Sequence, residues 1–176
     1  PSEVMIIADE SANPDYIAAD LLAQAEHDYE AEAYLVATSE KLAHQVMSKI
    51  NEYLLSLKTA NIAKTSIQNG TIILANSIKE AIIIANKKAP EHLEICFKGA
   101  EKSIDEFRNY GSLFVGNYSA EVFGDYCSGT NHVLPTNGIA RYTGGLSVFD
   151  FVKIQTYQNI SAYAAKIALH ARLGQA

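Results

Sequence analysis

The run Glu3-Val4-Met5-Ile6-Ile7-Ala8 constrains this chain more than any other. Five consecutive positions are apolar, so both faces of an extended segment here have to be covered, as happens in a parallel sheet with helices on either side. Similar runs recur at Ala33–Thr38, Thr71–Asn76, Leu93–Phe97 and Ser112–Gly116, with stretches of helical periodicity between them. Strands alternating with helices at this spacing predict an α/β domain built on a mainly parallel sheet with helices on both faces.

The helix signals agree. Asn13-Pro14 supplies an N-cap and a first helical residue, with Asp15 in the first turn, and the helix should run to about His27 with Ile17, Ala18, Leu21, Leu22 and Ala25 on its apolar stripe. Ser39 should cap a long helix to about Leu57, followed by a weaker helical stretch ending at Asn69-Gly70, and Ser77 a helix to about Lys88 that Pro90 stops. A short helix is expected around Ser103–Asn109, and a brief one capped by Ser119. After Pro135 the texture changes: Gly138 and Gly144-Gly145 loosen the chain, Phe149–Tyr157 reads as a strand and Ala162–Leu173 as a helix. The expected division is residues 1–142 as the α/β domain and 143–176 as a short C-terminal tail that packs on this or another subunit.

A net charge of −6 with no basic cluster beyond Lys87-Lys88 argues against nucleic-acid or anionic-membrane partners, which need grouped Lys and Arg. No run approaches the roughly 20 apolar residues that cross a bilayer, and Pro1-Ser2-Glu3 lacks the features of a signal peptide, so a cytoplasmic location is expected. The absence of an initiator Met before the first strand suggests a segment of something longer. Cys96 and Cys127 have no paired spacing, which speaks against a disulfide framework or a cysteine zinc knuckle; Cys96 fits a small buried hydrophobe.

Three polar segments stand out as chemistry. Gly124-Asp125-Tyr126-Cys127-Ser128-Gly129-Thr130-Asn131-His132-Val133-Leu134-Pro135 crowds a carboxylate, a thiol, an amide and an imidazole into a bent loop, the kind of segment that carries function. Gln24 and His27 sit at i and i+3, about 60° apart around the helix, so both side chains can reach one crevice and one ion. The plainer reading of His27 is a partner for the helix dipole. Asp125 would add a hard oxygen ligand acceptable to zinc. Glu91-His92 follows a helix-breaking proline and precedes a buried strand, where catalytic groups of α/β proteins tend to lie. His92 could serve as a general base and Glu91 could activate water, the alternative being a solvated loop pair. His132 could be a ligand, a proton shuttle or a loop-stapling hydrogen bonder, and His44 is an exposed residue on a polar helix face. No Gly-x-Gly-x-x-Gly follows any strand, so this segment offers no dinucleotide fingerprint, and the expected fold is an incomplete Rossmann-like one.

Taken together, Ser2-Glu3-Val4, Ala8-Asp9-Glu10-Ser11-Ala12-Asn13-Pro14, Asp20-Leu21-Leu22-Ala23-Gln24-Ala25-Glu26-His27, Ala89-Pro90-Glu91-His92-Leu93 and Gly124-Asp125-Tyr126 through Asn131-His132-Val133-Leu134-Pro135-Thr136 resemble histidinol dehydrogenase in order and interval over nearly residues 1–160. The resemblance implies NAD-dependent oxidation of L-histidinol to L-histidine in two steps through an aldehyde held in the site. It implies zinc held by Gln24, His27 and Asp125, with the substrate's imidazole and amine completing the shell. It implies His92 as general base and Glu91 as the group that activates water, with Ser2 and His132 lining the substrate pocket beside Gln24, His27, His92 and Asp125.

The resemblance also implies a homodimer. The family's helical tail carries a Glu and then a His that ligates zinc in the partner subunit; here the Glu has no counterpart and His170 matches the terminal ligand only locally, at contracted spacing. The family's nucleotide-contacting half precedes the region that this chain resembles, so the NAD site is expected outside this segment. Against this reading stand a non-catalytic truncated α/β fragment and a metal-binding module without redox activity.

Overall fold

The structure is a computed structural model that describes residues 2–173. Five strands, β1 (Glu3–Ala8), β2 (Glu32–Ala37), β3 (Thr71–Leu74), β4 (His92–Cys96) and β5 (Ser112–Val115), form one all-parallel sheet in the order β3-β2-β1-β4-β5. The α/β class read from the apolar runs is the one observed. β1 lies at the centre, paired on both edges, which is why all six of its side chains are buried and why its sequence is apolar throughout.

The helices α1 (Pro14–Ala25), α2 (Glu40–Tyr53) and α3 (Ala60–Ile67) contribute to one core with Val4, Ile6 and Ala8 of β1, Ala33, Leu35 and Ala37 of β2, and Cys96 of β4. The alternate residues Met5, Ile7, Val36, Leu93 and Ile95 pack with α4 (Ile78–Lys88) and two 3-10 turns in the second core. The two-residue period of a strand thus sorts the apolar runs into two cores. Since Leu93 and Ile95 face α4, the intervening His92, Glu94 and Cys96 face the α1 side.

The helix caps are placed as the sequence suggests. Asn13 accepts from the Asp15 amide at 2.9 Å, Ser39 from Leu42 at 3.3 Å and Ser77 from Glu80 at 3.2 Å. α4 ends on Ala89 in the left-handed conformation (φ 55°), whose amide bonds back to Ala85, and Pro90 then turns the chain into β4. Gly111 closes this corner. Its amide donates to the Pro90 carbonyl at 3.0 Å, and a Cβ there would stand 2.5 Å from the Glu91 carbonyl oxygen, so only glycine fits.

Several local expectations are corrected. The long helix from Ser39 ends at Tyr53, short of Leu57, while the weaker helical stretch expected before Asn69-Gly70 is present as α3. Residues 103–109 form no α-helix; short 3-10 turns occupy Ala100–Lys102 and Ile104–Glu106. Asp125 is not in a loop, because α5 (Glu121–Tyr126) takes in Gly124, Asp125 and Tyr126. Ser119 does not cap α5, since its hydroxyl donates to the Val115 carbonyl at 2.8 Å; the Glu121 amide is satisfied by the Glu94 carboxylate at 3.1 Å.

The chain falls into two compact units divided between Leu146 and Ser147. In the second, Phe149–Tyr157 is not a strand. A 3-10 turn spans Val148–Phe151 behind a Ser147–Asp150 capping box, and α6 (Ala162–Leu173) follows after a stretch without regular structure. The alternating apolar residues there have no neighbouring strand to pair with, and Phe149, Phe151, Ile154 and Tyr157 are exposed. No helix among the described residues is long and apolar enough to cross a membrane.

Candidate active site

Glu91 and His92 stand at the start of β4, and Ser2 and Glu3 at the start of β1, where Val4 and His92 are register partners. The site therefore lies at the amino ends of the strands. This corrects the expectation that Glu91-His92 would occupy the usual ligand position of open α/β sheets, which is the carboxyl ends. The reason is local: Pro90 ends α4, and the residues after it enter a strand instead of leaving one.

Glu3 ties the site together through its main chain. Its amide donates to Glu91 Oε2 at 3.0 Å, and its carbonyl lies 3.2 Å from His92 Nδ1. Ser2 donates to the same Glu91 oxygen at 2.7 Å. Two donors converging on one oxygen hold this carboxylate in a fixed direction. A carbonyl only accepts, so Nδ1 of neutral His92 carries the hydrogen and Nε2 keeps its lone pair. Burial holds the His92 imidazole below its ordinary value, against the raising pull of the Glu91 carboxylate, so the ring is neutral near pH 7. A neutral imidazole with Nε2 free is a competent general base.

The Glu3 side chain is anchored behind the site. Oε2 meets Lys88 Nζ at 2.6 Å, and Oε1 accepts from the Asn137 amide at 3.0 Å. Lys88 also reaches Glu32 at 2.9 Å and lies over the Tyr34 ring, 4.7 Å from its centroid.

The proposed ligands come from two helices. Gln24 is in the last turn of α1 and His27 follows its end; Asp125 is on α5. His27, Asp125 and Glu121 bring ligand atoms within 4.8 Å of one another, close enough to share one cation. Gln24 is fully buried, with Oε1 3.5 Å from the Ser2 hydroxyl and Nε2 without a hydrogen-bond partner. A half-turn of the amide exchanges these atoms, giving Ser2 a donor and leaving the oxygen free for a cation. An orphaned amide beside a His-carboxylate cluster fits a hard or borderline metal such as zinc.

Glu121 was not singled out in the sequence, although it precedes Asp125 by four residues and so shares its helix face. Its Oε1 is 3.4 Å from His92 Nδ1, nearer than Glu91 Oε2 at 3.7 Å. Burial, reinforced by the charges of Asp125, Glu91 and Asp20, pushes the Glu121 carboxyl up to about 8. Behind it Asp20 and Glu94 share a hydrogen bond; burial raises Asp20 to about 6 and holds Glu94 far above the usual carboxylate range.

The remaining predicted residues lie elsewhere. His132 is exposed on the loop after α5, and its ring makes no hydrogen bond among the described residues. His44 is exposed and faces Glu40 at 3.7 Å. Cys96 is buried, its thiol pushed up to about 12, which suits a packing role; Cys127 is exposed. His170 is exposed on α6 in the second unit, with Nδ1 2.9 Å from the Lys166 carbonyl.

The histidinol dehydrogenase family model matches residues 1–172. The chain belongs to the histidinol dehydrogenase family. The histidinol dehydrogenase of Lactococcus lactis is 48% identical over 158 residues, covering 89% of this chain and 37% of that protein. That of Halalkalibacterium halodurans is 46% identical over 98% of this chain and 42% of its own length. A crystal structure of histidinol dehydrogenase from Elizabethkingia anophelis superposes with a TM-score of 0.89 at 38% identity, over 99% of this chain and 42% of that one. The chain thus spans about two fifths of the length of these relatives. It is similar to these proteins in both sequence and fold, and the α/β sheet is shared.

Proposed function

We propose that this chain supplies the metal- and substrate-binding portion and the catalytic Glu-His pair of a histidinol dehydrogenase that converts L-histidinol to L-histidine. The observation that carries the reading is the joint placement of Glu91-His92 and the His27–Asp125–Gln24 set around the start of β1, from segments 24 to 125 residues along the chain.

Gln24, His27 and Asp125 would hold zinc, which when bound would orient the substrate's imidazole and amine, while NAD would accept hydride in each oxidation. His92 Nε2 would take the hydroxyl proton as the alcohol is oxidised to the aldehyde. Glu91, held by Ser2 and the Glu3 amide, would take a proton from the water adding to the aldehyde while protonated His92 returns its proton to the aldehyde oxygen; His92, neutral again, would then take the hydrate's hydroxyl proton in the second oxidation. Each of the two oxidations would release one hydroxyl proton to His92 and two electrons as a hydride, and the hydration between them transfers no electrons. The first turn after a strand, Asp9–Asn13, contains no glycine to let a pyrophosphate approach the main chain, so the proposal assigns the nucleotide to other sequence. A homodimer is part of the same proposal.

Titration of the metal-free protein with zinc, with and without L-histidinol, tests the site. Zinc-dependent binding of L-histidinol, lost in both His27→Ala and Asp125→Ala, supports the reading. Binding of L-histidinol without zinc, or unchanged zinc stoichiometry in both variants, overturns it.

A further inference from the structure

We propose that Glu121 is a positioning residue for His92: its carboxyl group, set against Nδ1, fixes the imidazole with Nε2 directed to the substrate. The inference rests on the reading of His92 as the general base.

Three observations support it. The Glu121 carboxylate is the nearest acidic group to His92 Nδ1, at 3.4 Å, on the same nitrogen that the Glu3 carbonyl meets at 3.2 Å. The Glu3 carbonyl sets the tautomer, and a second oxygen packed against the same nitrogen confines the tilt of the ring, as an orienting acid does for a histidine base. Second, the two-residue period of β4 sets His92 and Glu94 on one face, and both grip Glu121. Glu94, 2% exposed, accepts the Glu121 amide at 3.1 Å while His92 meets its side chain. The strand that carries the base therefore also fixes the helix that carries its orienting acid. Third, Glu121 is itself buried, and among the described residues its carboxylate accepts no hydrogen bond from any other side chain or amide.

Glu121 also belongs to the cluster that could hold a cation, so a ligand role is the rival assignment. The two make different demands. An orienting acid is needed for proton transfer but not for holding the ion, whereas a ligand is needed for both.

The test compares Glu121→Gln, Glu121→Ala and His92→Ala in the complete natural polypeptide, with metal content by atomic absorption, kcat and KM for L-histidinol, and the ¹⁵N resonances of the His92 ring. Glu121→Ala is expected to keep the parent's metal content and KM within about threefold, to lower kcat by about 10–100-fold, and to broaden the His92 ring resonances as the imidazole gains freedom to tilt, its tautomer still held by the Glu3 carbonyl. Glu121→Gln, which keeps the shape and an acceptor oxygen at Nδ1, should retain sharp His92 ring resonances and recover most of kcat. Loss of metal in Glu121→Gln overturns the proposal in favour of a ligand. Parent-like kcat in Glu121→Ala overturns it outright, as does a fall in thermal stability that alone accounts for lost activity. Full turnover in His92→Ala would instead remove the premise that His92 is the base, whatever the Glu121 variants do.

Discussion

The main-chain carbonyl of Glu3 lies 3.2 Å from His92 Nδ1, so the central strand sets the tautomer of the base carried by its neighbour. The same residue's amide fixes Glu91, and its side chain is locked by Lys88 and Asn137. Changes at the back of the sheet should therefore reach the site through Glu3.

Lys88→Met leaves the Glu3 carboxylate, 3% exposed, without its cation. Removing one partner of a buried pair is strongly destabilising, and the loss should be about 3 kcal/mol, at the lower end because Lys88 keeps some contact with water. Urea unfolding measures it. Glu3→Gln in the same chain should restore most of the loss, and a double-mutant cycle showing no coupling would refute the pairing.

Gln24→Leu should separate folding from binding. Nε2 is buried and unpartnered, so an apolar side chain of similar volume should leave the metal-free protein equally stable or more stable by about 1 kcal/mol. Zinc affinity should fall at least tenfold if the amide oxygen is a ligand. Unchanged affinity by calorimetry would exclude Gln24 from the shell.

Asp20 gives a pH signature. Its carboxyl is raised by burial from the ordinary 3.8 to about 6, so between these values the folded chain keeps a proton that the unfolded chain has released. The folded state binds more protons, so stability from this group is greatest below about pH 4, declines as pH rises to 6, and stays lowered above it. Asp20→Asn should raise stability at pH 7 by on the order of 2 kcal/mol while changing it little at pH 4. Thermal melts of the metal-free protein at both pH values check this; an equal shift at both would show that titration is not the cause.

Much of this protein was legible in its sequence, because the relevant physics is local. Five apolar runs separated by capped helices specify strands covered on both faces, and the runs at Val4–Ala8 and Leu93–Phe97 became neighbouring strands. Glu91-His92, after a helix-ending proline, and the Gln24/His27 spacing were visible for the same reason. Phe149–Tyr157 misled because alternation describes a half-covered strand but cannot supply the neighbour that a strand needs. Which end of the sheet holds the site, and that Glu121, Glu94 and Asp20 stand behind it, were decided only by tertiary structure. A carboxylate's role depends on what buries it and which nitrogen it faces, and those neighbours come from β4, α1 and α5, far apart in the chain until the sheet assembles.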